Sequence, residues 1–238
     1  MLCNQPNDNI EQEFNGLEKS QSIKKIFNFI EECLPQFKNR HSLLKPEDGL
    51  TQELVYILDN ESREKLPLCG FSTEHMEDTT KGNSRRDDIG IRAIHGVTIN
   101  TTYYPNNKPF IAIEAKRLDS KIVKKRKKEY VIGRYDDEKY IESGGIERFK
   151  KEIHGNGLVY VGMIGYLQTN SFDDWFEKIN KYIDEEINSS SSNELVWEEK
   201  DKLTIDKRNE FFSTYNSEHQ CKSKEISMYH IWINLIQK

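Results

Sequence analysis

Apolar residues along the chain recur first at helical spacing and then in strand-like runs. Residues 18–39 show an apolar repeat of helical period, which predicts an amphipathic helix that ends near Pro35. A second helix is expected after residues 46–49, and Glu53 lies at the edge of its apolar stripe, so its carboxylate is expected to point along the packed side. The two stripes consist of Ile23, Ile26, Phe27, Ile30 and Leu34, and of Leu50, Leu54, Ile57 and Leu58.

Strand patterns begin with a short run at residues 66–72 and become stronger further along the chain. The stretches DIGIRAIHGV (88–97) and PFIAIEAK (109–116) are separated by NTTYYPNNK, which predicts an antiparallel hairpin. The stretch LVYVGMIGYLQ (158–168) is nearly all apolar, as is typical of a central strand buried on both faces. The remaining predicted elements are helices at 144–154 and 171–187 and a closing strand at 226–236. Their order predicts an α/β fold with a central mixed sheet flanked by helices.

The composition is that of a soluble globular protein. Charged residues make up 32% of the 238 positions and aromatic residues 11%, and this aromatic content argues against a disordered chain. No stretch approaches the roughly 18 apolar residues of a membrane span, and the first residues lack a signal-peptide pattern, so a cytoplasmic protein with no membrane partner is expected. The four cysteines are scattered without the spacing of a zinc site or a disulfide framework.

The charge is distributed unevenly. The formal net charge is −5, yet residues 116–134 contain nine lysines and arginines against two acids. Such a basic segment on an acidic protein is either a phosphate-binding edge or a solvated surface, and the sequence leaves both interpretations open. The candidate nucleic-acid contacts are Lys124, Lys125, Arg126, Lys127 and Lys128.

The candidate chemistry lies where the strand FIAIEAK ends in charged residues. Strand side chains alternate between faces, so Glu114 and Lys116 are expected to be neighbours on one face. Asp88 opens the preceding strand, and antiparallel pairing would bring it to Glu114. Two adjacent carboxylates repel each other unless a cation such as Mg²⁺ or Mn²⁺ lies between them. Lys116 would then orient or deprotonate a water molecule, with its pKa depressed by burial and by the cation.

These residues carry a resemblance to a known superfamily. Asp88, a gap of 25 residues and then Glu114-Ala115-Lys116 at the end of an apolar strand resemble the D…ExK core of the PD-(D/E)XK nucleases. The resemblance implies a restriction-endonuclease-like fold in one domain, with a core at about 48–170, an N-terminal helical addition at 18–39 and a C-terminal addition at 171–238. It assigns metal binding to Asp88 and Glu114, water activation to Lys116 and a supporting metal-site role to Glu53.

The sequence departs from the family pattern at one position. No proline precedes the aspartate, which lies in the sequence RRDD, so Asp87 competes with Asp88 as the metal ligand. The structural alternative for the whole motif is a surface ion pair at a strand end, with Asp88 capping a turn.

The resemblance implies a metal-dependent nuclease that hydrolyses phosphodiester bonds. DNA is the favoured substrate, although the sequence does not distinguish DNA from RNA. Family members often act in bacterial restriction or antiphage defence beside a helicase or ATPase subunit, and cutting both strands would favour a homodimer. The alternative is a non-cutting nucleic-acid-binding or assembly subunit with the same fold.

Other candidate residues are weaker. Arg148 lies on a predicted helix that follows Ser143-Gly144-Gly145, and the start of this helix is either a phosphate site or an ordinary helix start with a solvated basic face. The histidines lack metal-ligand spacing and are expected to be structural or on the surface. An enzyme with a serine or cysteine nucleophile is disfavoured because no nucleophile motif is present.

Overall fold

A computed structural model describes residues 19–40, 46–76, 86–95, 97–99, 102–106, 108–189 and 195–236. Its helices are α1 (Lys19–Arg40), α2 (Glu47–Lys65), α3 (Gly145–Lys150) and α4 (Phe172–Ile187), and short 3-10 turns occur at Lys124–Arg126 and Glu199–Asp201. Its strands are β1 (Cys69–Met76), β2 (Arg86–Ala93), β3 (Val97–Ile99), β4 (Thr102–Tyr104), β5 (Pro109–Leu118), β6 (Arg134–Asp136), β7 (Lys139–Ile141), β8 (Tyr160–Leu167), β9 (Thr204–Arg208), β10 (Phe212–Gln220) and β11 (Glu225–Asn234). None of the helices in these ranges has the length and apolar character needed to cross a membrane.

A seven-stranded mixed sheet forms the centre of the structure. Its strand order is β1-β2-β5-β8-β11-β10-β9. Strands β5, β8 and β11 run parallel to one another, and every other pair of neighbouring strands is antiparallel. The α/β class and the mixed sheet flanked by helices are therefore confirmed. The predicted antiparallel pairing of β2 with β5 is also present, because Ile89 pairs with Ile113, but strands β3 and β4 lie in the connection that was expected to be a hairpin loop.

The sheet separates two apolar cores, and β5 contributes to both. Ile111 and Ile113 pack in the core that contains α1 and α2, whereas Ala112 packs in the core that contains α3 and α4. Because strand side chains alternate, Glu114 and Lys116 lie on the Ala112 side of the strand. The predicted central strand and the predicted closing strand are β8 and β11, which pair with each other in parallel.

Three helix boundaries differ from the sequence prediction. Helix α1 continues through Pro35 to Arg40, because Phe37 beyond the proline is fully buried and its ring lies 6.1 Å from that of Tyr166. Helix α2 begins at Glu47, directly after Pro46, rather than after residue 49. Helix α3 has only six residues, and the chain turns away from it through Glu152 and Gly155, whose positive φ angles of 57° and 62° are incompatible with a helix.

Sequence patterns also missed strands β9 and β10. All five residues of β9 are exposed, so no apolar face is present in the sequence. In β10 the buried positions include Ser213, Ser217 and His219, and these polar side chains hide the alternation that normally identifies a strand.

Candidate active site

Strand β5 places Glu114 and Lys116 side by side at the end of its buried run. Glu114 is only 1% exposed and Lys116 9%. The Lys116 Nζ donates a hydrogen bond of 2.6 Å to Glu114 Oε1. A buried ion pair of this kind is costly to desolvate and contributes little net stability, so its presence at a strand end favours a functional role.

Asp88 lies beside this pair because of the β2–β5 register. It directly precedes Ile89, the partner of Ile113, and its Oδ2 accepts a 2.8 Å hydrogen bond from the Ala115 backbone N–H. Burial and, as a smaller effect, the negative charge of Glu114 raise the pKa of Asp88 to about 7. The two carboxylates are thus close enough to repel each other. The side chain of Asp87, the competing candidate, lies outside the described residues.

A third carboxylate, that of Glu47 in the first turn of α2, lies near the Glu114–Lys116 pair. Glu47 Oε2 accepts a 2.8 Å hydrogen bond from the Arg117 backbone N–H, and its Oε1 lies 3.8 Å from Lys116 Nζ. Burial raises the pKa of Glu47, and the charge of Lys116 partly offsets this effect. Glu47 was not identified from the sequence, although an acidic residue just after Pro46 marks the first helical turn.

Glu53, the helix residue predicted for this role, lies six residues after Glu47 on α2. Six residues correspond to about 240° around an α-helix and about 9 Å along it. Glu53 is therefore on a different face of α2 from Glu47, and the described contacts bring Glu47 rather than Glu53 to Lys116. The supporting metal-site role of Glu53 stays a prediction, and Glu47 is the α2 carboxylate that lies near Lys116.

The carboxylates around Lys116 determine the direction of its pKa shift. Burial alone would lower its pKa, but the charges of Glu114, Glu47 and Asp88 outweigh burial and raise the pKa above its ordinary value. Burial thus acts on this pKa in the expected direction but is outweighed by the surrounding carboxylates, and the expected effect of a bound cation stays a prediction. Lys116 is held as an ammonium group, which can orient a water molecule and stabilise negative charge but is a poor base.

Two further side chains approach Glu114 from the chain after β7. Arg148 NH1 donates a 2.8 Å hydrogen bond to Glu114 Oε1, and His154 Nδ1 lies 3.8 Å from Glu114 Oε2. Burial would raise the pKa of Glu114, but Lys116, His154 and Arg148 together lower it. Arg148 was predicted as a nucleic-acid contact and His154 as a structural or surface residue, and no local sequence pattern links either residue to Glu114.

The donor chemistry of the site fits a small divalent cation. Glu114 Oε2 is buried and accepts no hydrogen bond from any described residue, and the negative charge of Glu114 disfavours ionisation of the neighbouring Asp88. Within the part of the chain that the structure describes, no group of three or more His, Cys, Asp or Glu side chains is arranged to hold a metal ion. Mg²⁺ is commonly bound through only one or two carboxylates, with water and substrate phosphates completing its octahedron. Asp88 and Glu114 would supply such a pair.

The basic segment borders the same site but is largely neutralised. Lys125 pairs with Asp136, Arg126 with Glu129 and Lys128 with Glu185. Lys124 and Lys127 are exposed, and no ion pair involves either of them within the described ranges. A small pocket lies between the ion pair and this segment; its lining includes Glu47, Lys116, Asp119, Arg126, Lys127 and Tyr130.

Comparisons with known proteins do not identify a relative. The chain matches no protein-family model, no curated protein and no solved structure. The fold and the site together define an α/β protein with a buried carboxylate–lysine cluster at the ends of two antiparallel strands, and its function is inferred from this geometry.

Proposed function

We propose that the chain is a Mg²⁺- or Mn²⁺-dependent nuclease that hydrolyses phosphodiester bonds, with DNA as the favoured substrate. The observation that carries the proposal is the buried Glu114–Lys116 pair with Asp88 beside it. Buried ionisable groups clustered at one point of a strand pair cost stability, and such clusters concentrate at functional sites.

The order of the structural elements supports a restriction-endonuclease-like core. With the two small sheets β3-β4 and β6-β7 left aside, the order from α2 to β8 is helix, strand, strand, strand, helix and strand, the order that the PD-(D/E)XK resemblance implies. The aspartate directly precedes Ile89, and the ExK motif directly follows Ile113, the residue with which Ile89 pairs.

Each residue has a chemical task in this proposal. Asp88 and Glu114 hold the cation, which when bound lowers the pKa of water and polarises the phosphoryl oxygen. Lys116, kept as an ammonium group, orients the attacking water and stabilises the charge that develops on the phosphate. Glu47 accepts a hydrogen bond from Arg117 N–H and holds Lys116 from the other side. Lys124 and Lys127 attract the phosphate backbone.

The biological setting follows from the superfamily resemblance. We propose a cytoplasmic nuclease of bacterial restriction or antiphage defence, which acts beside a helicase or ATPase subunit. A homodimer would supply the two sites needed to cut both strands of a duplex, because each chain provides one site.

A plasmid-cleavage assay tests the nuclease activity. Supercoiled DNA is incubated with the wild-type chain in Mg²⁺, in Mn²⁺ and in a chelator, and relaxed or linear product is expected only with the metals. Glu114→Gln and Lys116→Met should lose at least about 100-fold in rate, since residues acting in one transition state are not replaced by their neighbours. Glu177→Gln and Lys181→Met, two exposed substitutions on α4 with the same charge changes, should cut like the wild type.

A non-cutting binding or assembly subunit is the second candidate. One observation favours it: Glu114 Oε1 already accepts hydrogen bonds from Lys116 and Arg148, so internal cations neutralise the carboxylate. In the same assay this candidate predicts DNA binding without product at any metal concentration. Product that disappears in Glu114→Gln would exclude it.

A further inference from the structure

Arg148 and Lys116 bind the same oxygen of the proposed metal ligand. Lys116 Nζ and Arg148 NH1 lie 2.6 Å and 2.8 Å from Glu114 Oε1. The second oxygen, Oε2, is enclosed by protein, with His154 Nδ1 at 3.8 Å. A cation that binds Glu114 must therefore replace one of the two internal positive groups or turn the carboxylate.

We infer that Arg148 competes with the divalent cation for Glu114 and is the group that the cation displaces. The inference rests on the proposed function, because it takes Asp88 and Glu114 as the metal ligands. It adds a residue that controls metal affinity and that belongs neither to the ExK motif nor to the basic segment.

Arg148 is easier to displace than Lys116. Lys116 is held by Glu114 and also lies 3.8 Å from Glu47, and its side chain is only 11% exposed. The Arg148 side chain is 28% exposed, and its buried Nε makes no hydrogen bond to the residues that the structure describes. Among the described residues, the Arg148 guanidinium therefore has one ionic contact to lose and Lys116 has two, and the guanidinium is the more exposed of the two groups.

The backbone that carries Arg148 is fixed, so the exchange involves the side chain alone. The first N–H groups of α3 donate to backbone carbonyls before it, as Gly145 N does to Glu129 O at 2.9 Å. Near its end, Lys150 Nζ donates a 2.5 Å hydrogen bond to the buried Asp201. With both ends held, the helix keeps the Arg148 guanidinium within reach of Glu114 and of any ligand at the site.

A phosphodiester is a suitable acceptor for the displaced guanidinium. Its oxygens match the planar donor fork of arginine, and the unused Nε of Arg148 provides a donor at the site. Cation binding at Glu114 and phosphate binding at Arg148 then favour each other, since each removes a competitor of the other. This coupling would limit metal loading in the absence of nucleic acid.

Binding of Mn²⁺ alone tests the inference without relying on activity. The dissociation constant is measured from the electron paramagnetic resonance signal of free Mn²⁺ for the wild type, Arg148→Met and Lys151→Met. We expect Arg148→Met to bind Mn²⁺ about tenfold more tightly, because a competing positive charge is removed from the ligand. Lys151→Met removes the same charge from the turn after the same helix without touching Glu114, and should change the constant less than about twofold.

The outcomes separate this inference from the proposed function. An unchanged or weaker affinity of Arg148→Met would overturn the inference, while the nuclease site would stand if Glu114→Gln abolishes Mn²⁺ binding. Binding that is absent from the wild type, or indifferent to Glu114→Gln, would overturn both. Thermal unfolding checks that each variant is folded; if Arg148→Met is not, Arg148→Gln, which keeps the length but not the charge, must show the same tightening.

Discussion

Lys150 Nζ lies 2.5 Å from Asp201 Oδ1, and neither side chain is exposed to solvent. Asp201 Oδ1 is also 2.5 Å from His219 Nδ1, which places one carboxylate between two buried nitrogen groups. Through Asp201, these two contacts connect α3, which contains Arg148, to His219 in strand β10. This ion pair lies outside the proposed active site but fixes the helix that contributes to it.

Hydrogen bonds extend this contact into a buried polar chain. Ser217 Oγ lies 2.7 Å from both His219 Nε2 and His230 Nε2, and Tyr130 OH lies 2.8 Å from His230 Nδ1. Ser217, His219 and Asp201 thus have the hydrogen-bond order of a serine-hydrolase triad, which the sequence patterns did not indicate. All three are at most 4% exposed, so no substrate reaches Ser217. The geometry favours a structural role that fixes one arrangement of the core.

Removing the carboxylate of Asp201 should destabilise the fold strongly. Asp201→Ala leaves Lys150 buried without its partner, and we expect a loss of about 3–5 kcal/mol in the free energy of unfolding, measured by urea titration. Asp173→Ala breaks an equally short ion pair, with Arg208 at 2.5 Å, but Asp173 is 70% exposed. This matched control should lose less than about 1 kcal/mol. Equal losses of unfolding free energy in the two variants would show that burial of Lys150 does not require the Asp201 carboxylate.

The buried histidines should make the fold sensitive to acid. Burial lowers the pKa of His230 well below its ordinary value of 6.5, and burial also lowers that of His219 despite Asp201. Below pH 6.5 the unfolded chain therefore binds more protons than the folded one, and stability falls as the pH decreases. The expected contribution of His230 is about 1.4 kcal/mol per pH unit below 6.5, with no change above it.

Urea unfolding between pH 5 and pH 8 would measure this effect for the wild type, His230→Gln and His95→Gln. His230→Gln should be less stable at neutral pH, since two buried hydrogen bonds are altered, but its stability should decline less steeply below pH 6.5. The exposed His95 supplies the control, and its variant should follow the wild-type slope. A His230→Gln slope equal to that of the wild type would contradict a buried neutral histidine.

The sequence predicted those parts of the site that depend on strand periodicity. The alternation in FIAIEAK placed Glu114 and Lys116 on one face, and the hairpin brought Asp88 to them. Local periodicity did not predict that Arg148 and His154 contact Glu114, because both residues lie far along the chain and tertiary packing brings them there.

Helical features were predicted less accurately for a related reason. The apolar stripe of α2 was correct, yet the carboxylate that contacts Lys116 comes from the first turn, where the position of the helix end rather than periodicity decides which side chain points at the sheet. In β10, polar residues at buried positions satisfy one another, so hydrophobicity gave no signal for the strand.

The basic segment should contribute to nucleic-acid binding through two of the five candidate residues at 124–128. Lys124→Ala and Lys127→Ala remove exposed charges with no ion pair among the described residues, and each is expected to reduce the slope of log affinity against log salt by about 0.9 on duplex DNA. Lys125→Ala should have a smaller effect, because Lys125 is already paired with Asp136. Fluorescence anisotropy at several salt concentrations would measure the slopes. Three unchanged slopes would identify the segment as a solvated surface.

The two glutamates of α2 can be distinguished by paired substitutions. Glu47→Gln keeps an oxygen that accepts from Arg117 N–H but removes the charge 3.8 Å from Lys116, so metal-dependent cleavage should fall about 10–100-fold while the fold is retained. Glu53→Gln changes a residue on another face of the helix and should retain cleavage within about twofold of wild type. Initial rates of plasmid cleavage in Mg²⁺, with thermal unfolding of both variants, provide the comparison. A larger loss in Glu53→Gln than in Glu47→Gln would restore Glu53 as the metal-site residue and would require α2 to present its other face to the site.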